Sequence, residues 1–493
     1  MNKRILLAGL LAIVPLEASG AGTSLDFSTY LGSNGSDNTR DVVIDSQGNI
    51  YAVGGTRSSN LPTTAGTAQP AFGGYEDAYA VKFSPQGKIL WSTYLGGPEL
   101  DRAYAAELDG KGGLVIAGRA GAHFPVTAGA AQTQFRGGSI VPNLYPHPQD
   151  GFVAKLNATT GKKVWATFFG AVDNHAAIVR DVAVDTVSGA IYLASSTDTG
   201  TYPSSVLQAF QRGYRGARLG GFDGVLAKLA GDGRSFAWAT YVGGSLQEQP
   251  TPSVRVDSLG NPIMLIASNS TNAQTTAGVY DRTQNGGADW YLAKYSAQGP
   301  LLWATYVGGN GEEGTETHNL AVRSDGAIAI AGRTTSTNIP TAVGAFDRVL
   351  TGPAECAIAI VSGAGTNFVA GSYLGGGDAE MCEGIQVDVN LGLYVSGRTY
   401  SSNFPTTASA FQRTRPGPLS PFVAVLSPDL RALRYGSYFG GPGNATARDI
   451  AVIAPNHFVF GGEATGLGYP LASAARTAVD AKIHGFVSAI TVP

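Results

Sequence analysis

The sequence predicts an all-β protein, a seven-bladed β-propeller of four-stranded blades. Three observations predict it: one aromatic phrase recurs at a near-fixed period, short apolar runs keep step with it, and the two ends of the chain are complementary fragments of one repeat. The phrase is "LDFSTYLGS" (Leu25–Ser33), "ILWSTYLGG", "KVWATFFGA", "FAWATYVGG", "LLWATYVGG", "VAGSYLGG" and "RYGSYFGG". Its central aromatic is Tyr30, Tyr94, Phe168, Tyr241, Tyr306, Tyr373 and Tyr438, so the spacings are 64, 74, 73, 65, 67 and 65 residues. A period of this kind marks a repeat architecture.

Each repeat opens with a run ending near an acid, as in "DVVIDSQGN". A second run follows ("IYAVGGT", "LVIAGRA"), then a loop resembling "NFPTT", a third run ("DAYAVKF", "DGVLAKL") and the aromatic phrase. The runs are short, rich in β-branched and aromatic residues, and bounded by Gly, Pro, Asn, Asp or Ser, which is strand chemistry. No long capped amphipathic pattern competes with them. Four strands repeated radially make a propeller blade. The chain begins on a fourth-strand phrase and ends on a third, "GFVSAITVP". The N-terminal strand is therefore expected to complete the last blade and close the ring. Trp91, Trp165, Trp238 and Trp303, with Phe27 and Tyr435 in register, are expected to pack between blades.

Composition narrows the class. Gly contributes 68 of 493 residues, which suits a fold needing a turn after every strand, and charged residues are only 14%. A net charge of −3 argues against a nucleic-acid binder, which would need a basic stripe. The N-terminus carries Lys3 and Arg4, an apolar stretch Ile5–Val14 and small residues at Ala18–Gly22. This reads as a signal peptide over residues 1–22 without a lipobox, followed by a single propeller domain over 23–493. The apolar stretch is too short to span a bilayer. The expectation is a monomer that is secreted, periplasmic or at the cell surface. Cys356 and Cys382, the two cysteines, are expected to form a disulfide between neighbouring blades; two buried free thiols are the alternative.

The phrases "STYLGG", "VIDSQGNIYAVGGT", "NFPTT..AFQ" and "GGYEDAYAVKFSPQGKILW" resemble the bacterial SBBP family, the seven-bladed β-propeller repeat proteins. The resemblance runs over roughly residues 25 to 493 and is weakest in repeats three, four and seven. It implies export or surface exposure, and it carries over neither a defined biochemical role nor a catalytic motif.

Standard catalytic signatures are absent. Gly309–Gly314 matches GxGxxG, but no helix pattern follows and Glu312 and Glu313 would repel a pyrophosphate, so it reads as a turn. "NATTGKKVW" reads as a hairpin before a packing Trp. Asp77, Asp150, Asp223 and Asp289 stand five residues before Lys82, Lys155, Lys228 and Lys294, and four repetitions favour a structural role. The loops after Gly-Gly should emerge on one face near the axis. They carry Asp37, Asp101, Asp173, His175, Glu248, Glu312, Glu313, Glu316, His318, Asp378, Glu380 and Glu383. A ring of acids at a channel mouth is a candidate site for Ca2+ or a cationic group; a solvated rim is the structural alternative. The functional expectation is a binding or interaction module for a polysaccharide, cell-surface component or protein, engaged through that face. An extracellular lyase or hydrolase using the same face, and an assembly scaffold, are the alternatives.

Overall fold

The computed structural model describes residues 22–138, 148–171, 177–198, 201–202, 222–477 and 482–493. Among them there are 29 strands and no helix. Strand β1 (Ser24–Leu31) precedes the first complete blade, which is β2 (Asp37–Ile44), β3 (Ile50–Thr56), β4 (Asp77–Phe83) and β5 (Ile89–Leu95). Blade two is β6 (Arg102–Leu108), β7 (Gly113–Ala120), β8 (Asp150–Asn157) and β9 (Lys163–Phe169). Blade three is β10 (Ala177–Val184), β11 (Ile191–Thr197), β12 (Asp223–Leu229) and β13 (Phe236–Val242). Blade four is β14 (Ser253–Val256), β15 (Pro262–Ser268), β16 (Asp289–Tyr295) and β17 (Leu301–Val307).

In blade five the first strand is split into β18 (Glu313–Gly314) and β19 (Leu320–Val322), followed by β20 (Ile328–Thr334), β21 (Glu355–Val361) and β22 (Phe368–Leu374). Blade six is β23 (Glu380–Val387), β24 (Leu393–Thr399), β25 (Ser420–Leu426) and β26 (Leu433–Tyr438). Blade seven takes β27 (Ala445–Ala454), β28 (His457–Thr465) and β29 (Ile483–Thr491), and β1 is its outer strand. Leu25 pairs with Ile490 and Tyr30 with Phe486, antiparallel. The ring thus closes as the terminal fragments require.

The recurring phrase is the joint between blades. The indole Nε1 of Trp91 donates to Ala158 O of the next blade (3.0 Å), and Trp165, Trp238 and Trp303 donate to Gly231, Ala297 and Gly363 O at 3.1–3.2 Å. The ring of Trp165 lies against Gly233, whose φ is +72° and whose missing Cβ would fall 2.5 Å from the indole. Only glycine supplies both the left-handed turn and the space. Lys82, Lys228 and Lys294 also reach carbonyls of the following blade, while Asp77, Asp150 and Asp289 hold their own turn backbone.

Cys356 and Cys382 are disulfide-bonded, with Cα atoms 5.1 Å apart, joining blades five and six. Both lie inside strands, β21 and β23.

The first strand of each blade is innermost, and these strands touch one another in a closed circle around the axis. In five of them the ladder to the second strand slips by one residue, at Arg40, Tyr104, Arg180, Glu383 and Arg448. Such a bulge re-aims the side chain of the extra residue.

Candidate functional site

After three of these bulges, an aspartate ties its inner strand to that of the next blade. Asp41 Oδ2 accepts from Ala106 N (2.6 Å), Asp181 Oδ2 from Val254 N (2.8 Å) and Asp449 Oδ2 from Val42 N (3.2 Å). Ser253 Oγ donates to Thr317 O and Asn319 Nδ2 to Cys382 O in the corresponding positions of blades four and five. This belt leaves the bulge residues themselves for the channel.

Around the channel, on the side where the Gly-Gly loops enter, guanidinium groups converge. Tyr104 of blade two is buried, with Cζ of Arg180 at 4.6 Å, of Arg119 at 5.7 Å and of Arg40 at 5.9 Å from its ring centroid. Such stacking is attractive to the ring face. Burial pushes the phenol pKa up, but the charges of Arg119, Arg180, Arg102 and Arg40 more than offset it and bring it down to about 7.

The surrounding ion pairs are unevenly distributed. Arg102 and Arg57 share Glu76 (2.5 and 3.0 Å). Arg448 bonds Glu383 (2.9 Å) and Glu463 (2.5 Å), and Arg398 bonds Glu383 (3.1 Å). Burial would raise the Glu463 carboxyl, but Arg448 and Arg40 hold it at about 2. Arg119 Nη1 donates to Gln149 Oε1 (3.2 Å). Arg180 is only 8% exposed, its Nε has no acceptor, and among the described residues no carboxylate lies within 4 Å of it. Among the described residues, seven guanidiniums (Arg40, Arg57, Arg102, Arg119, Arg180, Arg398, Arg448) thus face four carboxylates (Glu76, Glu316, Glu383, Glu463). A chain that is acidic overall carries a cationic mouth.

The acids singled out in the sequence are placed elsewhere. Asp37, Asp101, Glu313 and Glu380 are buried, and so is Glu248. Each accepts a backbone N–H four residues upstream: Ser33, Gly97, Gly309, Gly376 and Gly244. Ser58, Ser336 and Ser270 of the second strand's exit donate to Asp37, Glu313 and Glu248. These carboxylates pin the loops from inside, so they form no ring at the mouth. Glu312 and Asp378 are exposed on the loop rim. Asp173 and His175 lie outside the described residues. Glu316 and His318 do reach the channel, because the split between β18 and β19 pushes Thr315–Asn319 inward. His318 Nε2 lies 3.2 Å from Tyr104 O.

The site that sequence reading missed had a signal. "RDV" at Arg40, "RDV" at Arg180 and "RDI" at Arg448 repeat in register, and blades two, five and six break the pattern with Tyr104, His318 and Glu383. Cavity size does not lead there either. The groove of about 770 Å³ beside Trp165, lined by Lys111, Lys155 and Arg234, lies on the hairpin face opposite the mouth.

A family model described as SBBP, beta-propeller repeat, matches residues 26–62, which hold the first aromatic phrase and the first two runs of blade one. No curated protein matches the chain. Solved structures similar to it include a protein of unknown function from Dyadobacter fermentans, 12% identical, with 96% of this chain and 100% of that chain covered and a TM-score of 0.44. BamB from Moraxella catarrhalis is 12% identical, covering 95% and 99%, with a TM-score of 0.36. A quinohemoprotein alcohol dehydrogenase from Comamonas testosteroni is 10% identical, covering 96% and 78%, with a TM-score of 0.41.

Proposed function

We propose that the protein is a binding module for an acidic polysaccharide, whose carboxylate or sulfate groups dock at the arginine-lined channel mouth. The observation that supports this reading is Arg180: a buried guanidinium beside Tyr104 with no counter-charge among the described residues. A buried charge is normally paired, so an anionic ligand group is its natural complement. The export signal read at the N-terminus and the disulfide favour an extracytoplasmic setting, where such polymers occur. Cell fractionation tests that setting.

The binding test is titration with polygalacturonate, dextran sulfate and neutral dextran at several salt concentrations. Tight, salt-sensitive binding of the charged polymers is expected, and Arg180→Gln should weaken it about 10-fold or more. Equal binding of neutral dextran, or no effect of Arg180→Gln, rejects the reading.

A second reading, a lyase, is favoured by Tyr104 alone. A phenol that ionises near neutrality can abstract a proton next to a carboxylate, and the adjacent guanidiniums can stabilise the charge that develops. Release of unsaturated, ultraviolet-absorbing products from polygalacturonate by wild type but not by Tyr104→Phe separates enzyme from binder.

A further inference from the structure

We infer that Tyr104 is an internal counter-anion that closes the channel mouth to external anions above neutral pH. The inference rests on the reading that the arginine-lined mouth binds anionic groups. Tyr104 sits at the bulge of blade two, where blades one, three and seven carry Arg40, Arg180 and Arg448 and blade six carries Glu383. It is 4% exposed, and the guanidiniums of Arg180, Arg119 and Arg40 lie 4.6, 5.7 and 5.9 Å from its ring centroid.

Blade six shows what an anion does at this position. Glu383 pairs with Arg398 of its own second strand (3.1 Å) and with Arg448 at the bulge of the next blade (2.9 Å). Tyr104 stands in the same relation to Arg119 of its own second strand and to Arg180 at the bulge of the next blade. The carboxylate is a standing counter-charge. A phenol supplies a negative charge only once its proton has left.

The charged neighbours of Tyr104 come from every element packed around it. The cations are Arg40 on β2, Arg102 on β6 itself, Arg119 on β7 and Arg180 on β10, and His318 Nε2 faces the Tyr104 carbonyl at 3.2 Å. The nearby acids are engaged elsewhere: Glu76 with Arg102, Glu463 with Arg448 and Arg40, and Asp41 and Asp181 with backbone N–H groups of the next blades. Glu107 lies three residues further along β6, toward Arg255. The cations prevail over burial and set the phenol to ionise at about 7. Below that pH the neutral ring leaves the guanidiniums to an incoming anion. Above it the phenolate competes for them from inside the site. Linkage makes the effect reciprocal, so an anion bound at the mouth raises the phenol pKa.

The test titrates the whole chain with dextran sulfate, whose ester groups stay ionised throughout, at fixed ionic strength. Between about pH 5.5 and about pH 8.5 the protonated fraction falls to about 3%, so wild-type affinity should drop about tenfold or more. Tyr104→Phe should hold its affinity across the same interval. Glu107→Gln removes the neighbouring carboxyl that burial raises to about 7, and it should show the wild-type drop. Replacing chloride by sulfate should move the absorbance titration of the wild-type phenol to higher pH. Equal wild-type affinity at the two pH values overturns the inference and leaves the polysaccharide reading standing. A full drop in Tyr104→Phe does the same. Binding at neither pH rejects the polysaccharide reading, and the sulfate experiment then decides: a phenol titration that sulfate does not move overturns the inference. If Tyr104→Phe does not fold, the wild-type drop and the sulfate effect decide together.

Discussion

Replacing Asp289 by Asn should stabilise the protein at pH 8 and change little at pH 4. Asp289 is fully buried at the start of β16. Its Oδ2 accepts from Asn285 N at 2.9 Å, and its Oδ1 has no donor. It confronts Glu313 of the next blade across Gly308, whose missing Cβ would lie 2.5 Å from an oxygen of each. Burial first, and then the charge of Glu313 ahead of that of Asp281, push the Asp289 carboxyl from 3.8 to about 7 against the Asn285 backbone bond. The folded state therefore holds this proton more tightly than the unfolded chain. Its stabilisation is complete below pH 4, declines as pH rises and is lost above about pH 7. At about 1.36 kcal/mol per pH unit the full span is ~4 kcal/mol, and relaxation around the ionised pair reduces it to about 2 kcal/mol. Asn is neutral at every pH and its Nδ2 can donate to Glu313. Urea unfolding of wild type and variant at pH 4 and pH 8 measures the difference directly. Equal loss of stability at both pH values would show that the carboxyl carries no buried charge, and would refute the argument.

Other outcomes follow from the same geometry. Spectrophotometric titration should find one tyrosine ionising near pH 7, absent in Tyr104→Phe, with the buried Tyr79 and Tyr51 remaining protonated far above it. Reducing the Cys356–Cys382 bond, which closes a span of 26 residues, should cost ~3–4 kcal/mol in urea unfolding. Phe27→Ala should cost about 3–5 kcal/mol, because this fully buried ring fills the contact with Gly87 of blade one from the outer strand of blade seven. Gly233→Ala should destabilise by more than ~1 kcal/mol, since it adds strain at positive φ to a clash with Trp165.

The architecture was legible because it is written seven times. Period, strand chemistry and complementary ends specify the ring, and the Trp positions specify its joints. The site was not legible because its side chains owe their direction to irregularities. Simple alternation along β2 does not aim Arg40 at the axis; the slip between Thr39 and Asp41 does. His318 reaches the channel only because the first strand of blade five is broken in two. The loop acids misled for a related reason. A carboxylate four residues after a glycine is a turn-closing group, and its repetition across blades was itself the structural signal. The bulge positions carry the channel residues whether the repeat is kept there, as at Arg40, Arg180 and Arg448, or lapses, as at Tyr104 and Glu383.

The pairing of β1 with β29 also sets an order of events. The strand made first must wait for the strand made last, so the sheet that contains both is completed only when the whole chain has emerged. Until then blade seven offers an unpaired edge and β1 an unsatisfied apolar face, the features most prone to wrong association during folding. After closure the relation inverts. The circle has no terminal blade from which unravelling could start, and any opening must first part a seam joining residues more than 400 positions apart in the chain. The join is slow to make for the same reason that it is slow to lose, and the lifetime of the folded ring rests on a clasp assembled from its two ends.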